Sequence, residues 1–474
     1  MKCLLQALVV VLAFFLFGGC QKEHEGDSGR RLLAFSTDTV AFDTIFTSLG
    51  STVKNLRVYN PSNDPISIAS IRLAGGDNSG FRLNVNGESN NEVFNIEIPG
   101  RDSIFIFVEA LLEKGGVHHL MVAEDSIIFR VNSKEQKVRL VAWGQDYKLI
   151  RSEMVRTTTW TKEKPYLVYN YAFVDSCQVL TIEAGTTVYF HKNAGLFIKG
   201  KLIVKGSTGE PVVFKGDRLE SGYANLPDQW NGITLLSGSH NNLIDHCIIK
   251  NANIGLQVGT IEKEGYASVE LSNTRIENMS WSGIWAMKSK ILAYNCVISN
   301  VGYYNTALLL GGDYQFYHTT FAGYLTNTST SYRNIETLTL SNYLVNSTDG
   351  AKYVGDLKQA TFANCIISGQ NLDELKISMD KQGANNYLFD HCLLQVSDTF
   401  RLPNAERFVS LQRNINPKFI NPLKGNYELD TLSAAKDAGK ESLVKLYPLD
   451  IKGVLRNSDA GPDLGAFERI EKKR

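Results

Sequence analysis

A tetrad that recurs along the second half of the chain limits the possible folds more than any other feature. An Asn or His, then Cys, Thr or Tyr, then any residue, then an apolar one starts at His246, Asn273, Asn295, His318, Asn342, Asn364 and His391, at intervals of 27, 22, 23, 24, 22 and 27 residues. Self-similarity at such a period marks a solenoid. Apolar side chains sit three before and two after each central residue, as with Ile244 and Ile249 around Cys247, or Phe362 and Ile367 around Cys365. Side chains on one strand face repeat every two residues, so the odd offset of three requires a corner between two strands. The Asn or His takes that corner, where Asn readily adopts the left-handed conformation and bonds its stacked neighbours. One turn of three short strands cannot bury its own apolar face, and turns stacked at roughly 4.8 Å can. Cys247, Cys296, Cys365 and Cys392 then form an inward ladder of small core residues.

Upstream, Leu180 to Phe190 and Gly195 to Gly206 alternate and break at glycines, as short strands with sharp corners would. The repeat resembles the right-handed parallel β-helix family that includes pectate lyases, over roughly residues 175 to 422. The resemblance implies a coil over 178–422, with 146–177 as a linker and N-terminal cap. Ala434-Ala435-Lys436-Asp437-Ala438-Gly439, Asp450-Ile451-Lys452-Gly453 and Asp463-Leu464-Gly465-Ala466-Phe467-Glu468 look like the closing segment of many surface β-helix proteins. Residues 423–474 are therefore expected to cap the open end, where an uncovered strand would invite edge pairing.

Residues 32–145 follow another regime. Ile104, Ile106 and Val108 alternate with Phe105 and Phe107, and Leu56 and Val58 flank Arg57, between turn clusters such as Asn60-Pro61-Ser62-Asn63-Asp64-Pro65. Short strands with no helical period predict a β-sandwich, and the fold class is all-β throughout. Phe42 to Phe46 followed by Leu56 to Asn60 resembles the immunoglobulin-like modules that open many surface lipoproteins, without the Cys and Trp of antibody domains; spacing or docking is the role implied.

The first twenty residues read as an export signal: Lys2, an apolar run from Leu4 to Phe17, then Gly18 and Gly19 before Cys20. The run is too short to span a bilayer. Leu16-Phe17-Gly18-Gly19-Cys20 resembles the lipobox of bacterial lipoproteins, with Phe17 in place of the usual Leu, which implies cleavage and acylation at Cys20. Residues 21–31 would be a flexible tether, and its acidic start resembles the tag that sends some lipoproteins to the exterior of the outer membrane. The partners implied are the membrane, through the lipid, and a glycan.

Chemistry is harder to read. Lys plus Arg and Asp plus Glu number 49 each, so nothing in the charge balance attracts nucleic acid. Asp245 and Asp390 share the corner motif with His246 and His391, yet the equivalent positions between them hold no carboxylate, and a solvated corner is the better reading than catalysis. His118 and His119 read as a loop pair, and the other histidines are whole turns apart, so neither a metal site nor a catalytic residue is expected; calcium would enter only for a lyase. Aromatic residues carry the surface signal: Tyr223, Trp230, Trp281, Tyr303, Tyr304 and Tyr314 are the candidate ligand-binding residues, with Trp285 and Tyr317 set down as packing. Rings stack on the apolar faces of sugars as on one another. The expectation is a non-catalytic glycan-binding or adhesion lipoprotein, ahead of a polysaccharide lyase or hydrolase and of an architectural envelope protein.

Overall fold

A computed structural model describes residues 32–113, 120–261, 265–325, 335–346 and 350–470, and the chain divides into two compact units between Gln145 and Asp146. Cys20, the tether, His118 and His119 lie outside the described residues.

The first unit holds two five-stranded sheets. Alternation along Ser103–Ala110 buries Ile104, Ile106 and Val108 and leaves Phe105 and Phe107 exposed; Lys54–Tyr59 likewise buries Leu56 and Val58. Inward residues of both sheets, among them Val58, Phe81 and Val108 from one and Phe42, Ile71, Phe129 and Leu140 from the other, make a single core.

The second unit is built on one 26-stranded sheet wound into a parallel coil. At its corners His246, Asn273, Asn295, His318, Asn364 and His391 have φ between 44° and 53°, the left-handed geometry that the repeat predicts. The residues before them stack in register: Asp245, Ser272, Tyr294, Tyr317, Ala363 and Asp390. The four cysteines that follow a corner are at most 1% exposed, and burial pushes the Cys296 thiol up to about 12. Cys177, outside the repeat, is exposed.

Three expectations need correcting. Asn342 is not a corner of this row: Leu338–Ser341 pairs with Thr306 to Leu308 and with Leu375–Ser378 on a different face. His318 and Asn364 are successive corners 46 residues apart, so the two apparent repeats are one turn with a long insert. Asn342 imitates the motif because its carboxamide ties down another loop, accepting from Asp380 N at 2.6 Å and donating to Asp380 O at 2.9 Å. The coil also begins early, because Lys148–Val155 already pairs in parallel with Tyr166–Val174; residues 146–177 are turns of the coil rather than a linker.

The third correction concerns residues 423–474. Phe400, Leu402, Phe408 and Leu411 pack against the end of the coil core. The C-terminal segment instead lies along the side, where Tyr427, Leu429, Ala435, Leu464 and Phe467 cover the outward-facing Val297, Ile366 and Leu393, which come from three of four successive turns. Strands such as Cys296-Val297-Ile298 and Cys365-Ile366-Ile367 are apolar without alternation, which marks burial on both faces, so this side of the coil needs a cover more than its end does. The acidic motif residues serve that cover. Asp450 accepts from Lys452 N, Val454 N and Glu468 N, Asp463 accepts from Asp437 N and Arg469 N, and the fully buried Arg456 pairs with Glu468 at 3.1 Å and donates to Asn295 Oδ1 at 3.0 Å.

Candidate functional site: an aromatic corner on the coil

Two long strands, Ser282–Tyr294 and Tyr304–Tyr317, run side by side across two adjoining coil faces and are each preceded by a tight corner. Trp281 N donates to Asn253 O at 2.9 Å, and Tyr304 N donates to Trp281 O at 2.8 Å. Stacked corners bring stacked side chains: the Trp281 and Tyr303 rings lie 4.5 Å apart and 8° from parallel, each residue 39% exposed. Tyr304 meets Tyr303 and Trp281 edge-on at 4.9 and 5.8 Å, and Trp285 meets Tyr304 at 5.3 Å. Trp285 and Tyr304 rest in turn on Met287, Ala307 and Leu309. Half-burial raises the Tyr304 phenol above its usual pKa, with Tyr303 and Glu336 adding to the effect, so the hydroxyl stays a neutral donor and acceptor near pH 7.

Polar groups edge these rings. Asn253 Nδ2 donates to Ser280 Oγ at 2.9 Å, and the same hydroxyl lies 3.4 Å from Asp228, which pairs with Lys192 at 2.7 Å. An exposed flat pair of rings beside amide, hydroxyl and charged groups can stack on a ring with an apolar face while bonding its substituents.

Of the six candidate aromatics, Trp281, Tyr303 and Tyr304 come together, and Trp285, set down as packing, belongs with them. Tyr223 stands in a neighbouring loop beneath Arg218, whose guanidinium is 3.8 Å from its ring centroid. Trp230 and Tyr314 are corrections, because both are core residues. Trp230 is 1% exposed, stacks on Phe190 at 4.0 Å and donates from Nε1 to Lys250 O at 2.9 Å. Tyr314 is fully buried and donates to Gly311 O at 2.7 Å. Each sits within a strand whose inward positions fill the coil, and each satisfies its polar tip internally. Tyr317 packs as expected, 5.1 Å from Tyr447 of the C-terminal segment.

The two corner aspartates are separated by five turns, about 24 Å at one inter-strand spacing per turn. Asp245 accepts from Ser272 Oγ at 2.7 Å and Asn273 Nδ2 at 2.8 Å. Burial pushes Asp390 up, but hydrogen bonds from Lys440 and His391 outweigh it and hold the carboxyl below its usual range. Among the described residues no three His, Cys, Asp or Glu side chains group as metal ligands would. A second amide ladder escaped the sequence reading: Asn251, Asn278 and Asn300 also have positive φ, and Asn300 Nδ2 donates to Asn278 Oδ1 at 2.5 Å. Its signal was present, since an Asn follows each of Cys247, Thr274 and Cys296 by four positions.

Against known families, residues 168–321 match the model of the right handed beta helix region. This stretch contains the aromatic corner. No curated protein matches the chain. Among solved structures, the PapD-like domain 7 of human CEP192 aligns at 10% identity over 24% of this chain and 84% of its own, with a TM-score of 0.17. The E. coli chaperone DraB aligns at 10% identity and the YadV chaperone at 14%, each over 24% of this chain with a TM-score of 0.17. This chain spans about half of each chaperone, 56% and 51% respectively.

Proposed function

We propose that this protein is a lipoprotein, anchored through Cys20 at the exterior of the outer membrane, whose β-helix binds a glycan without cleaving it. The observation that carries this reading is the exposed stacked pair Trp281 and Tyr303, with Tyr304 set edge-on to it and Trp285 edge-on to Tyr304. Stacked, half-exposed rings bury apolar area on contact with a sugar face and lose little conformational freedom in doing so. The non-catalytic part rests on the corner carboxylates Asp245 and Asp390, which lie far apart and are engaged with neighbouring side chains, so these two do not serve one glycosidic bond as an acid and base pair.

Trp281→Ala is expected to weaken binding to a retained polysaccharide about tenfold, the size of one lost aromatic stack plus its buried area. Affinity electrophoresis against neutral and acidic polymers measures it, and unchanged retention would remove this corner from the account. The anchor is tested separately. Cys20→Ser should move the protein from the membrane pellet to the soluble fraction and abolish labelling by a radiolabelled fatty acid, because the acyl chains supply the hydrophobic attachment. Continued sedimentation with membranes would contradict the lipid anchor.

A further inference from the structure

The solvent side of one sandwich sheet carries a cleft that the β-helix site does not use. Strand register sends Phe105 and Phe107 outward, where polar side chains usually stand, and both are 41% exposed. Their rings lie 6.5 Å apart and 17° from parallel, and the Arg57 guanidinium stands 5.1 Å from the Phe105 ring centroid. Beside Phe107 opens a cleft of 680 Å³ whose wall includes Asn84, Asn90 and Asn91 and whose end is marked by the cross-strand pair Arg82 and Glu109. Asn90 Oδ1 accepts from Glu92 N at 3.3 Å and Asn91 Oδ1 from Leu83 N at 3.4 Å. Both carboxamides thus line the cleft with their oxygens engaged by backbone N–H groups.

We propose that this cleft is a second glycan site, taking one or two pyranose units with the apolar ring face on Phe107 and hydroxyls on the Asn90 and Asn91 amides. The volume falls in the range of small-ligand sites, about 300–1,000 Å³. A pyranose presents an apolar face to the ring and hydroxyls to the amide wall at once. Two sites on separate units of one chain would also make polymer binding multivalent.

The test is calorimetric titration of the chain with neutral and acidic oligosaccharides. In the Trp281→Ala background, Phe107→Ala and Asn91→Asp should each weaken the remaining binding of at least one oligosaccharide about tenfold. Phe107 is exposed and Asn91→Asp keeps the oxygen that holds Leu83, so neither change threatens the fold. Equal affinity of both variants for every oligosaccharide that the parent binds would overturn the proposal. So would binding that disappears entirely with Trp281→Ala, or no binding by the parent.

Discussion

Phe362→Ala is expected to destabilise the β-helix by about 3–5 kcal/mol, at the upper end for core truncations. Phe362 is fully buried, stacked on Phe316 at 5.3 Å and 3° and on Phe389 at 4.7 Å and 9°, with Phe321 against its edge. Phe389 continues the column to Phe408. The flanking rings belong to turns held at fixed spacing by backbone hydrogen bonds, so they cannot close in and the cavity persists. A solenoid turn contacts its neighbours only, which localises the damage. Hydrogen exchange should therefore quicken in Leu388–Asp390 and Phe408–Val409 and stay slow in Val179–Glu183. A uniform loss of protection across the unit would contradict nearest-neighbour coupling.

Arg456→Ala acts by another route and should cost about 3–5 kcal/mol, the penalty for leaving a buried charge unpaired. Arg456 and Glu468 both have fully buried side chains. Burial lowers Arg456 and raises Glu468, and each opposes the other's shift by attraction. Without the guanidinium, Glu468 loses its counter-charge, and Asn295 Oδ1 and the Gly465 and Ala466 carbonyls lose their donor. The denaturation midpoint should fall and the segment from Ala434 to Glu468 should exchange faster, exposing Val297, Ile366 and Leu393 to a hydrophobic dye. Arg456→Met with Glu468→Gln should recover much of the loss. A midpoint unchanged by Arg456→Ala would show that the side cover is not held by this pair.

How much of this was legible beforehand follows from how local each signal is. The corner tetrad encodes a backbone conformation and an inward side chain within four residues, so the coil could be read directly from His246-Cys247 or Asn364-Cys365. Asn342 shows the limit, because a loop-bridging Asn looks the same in sequence as a corner Asn. The side cover was missed although Val297, Ile366 and Leu393 announced an apolar outer face; which segment covers it depends on pairings such as Asn364 with Lys440, 76 residues apart. At the aromatic corner, Trp281 and Tyr303 were recoverable because they occupy corners. Trp230 and Tyr314 were not, since a polar tip bonded to a distant carbonyl hides a core residue among surface-like neighbours.

Binding without cleavage is tested most directly on the polymers themselves. The chain lacking residues 1–20 is incubated with acidic and neutral polysaccharides, with and without calcium, while retention, new reducing ends and unsaturated products are followed together. Retention on at least one polymer is expected, with no product in the presence or absence of calcium. Release of reducing ends or unsaturated sugars would contradict it and assign the coil a catalytic face.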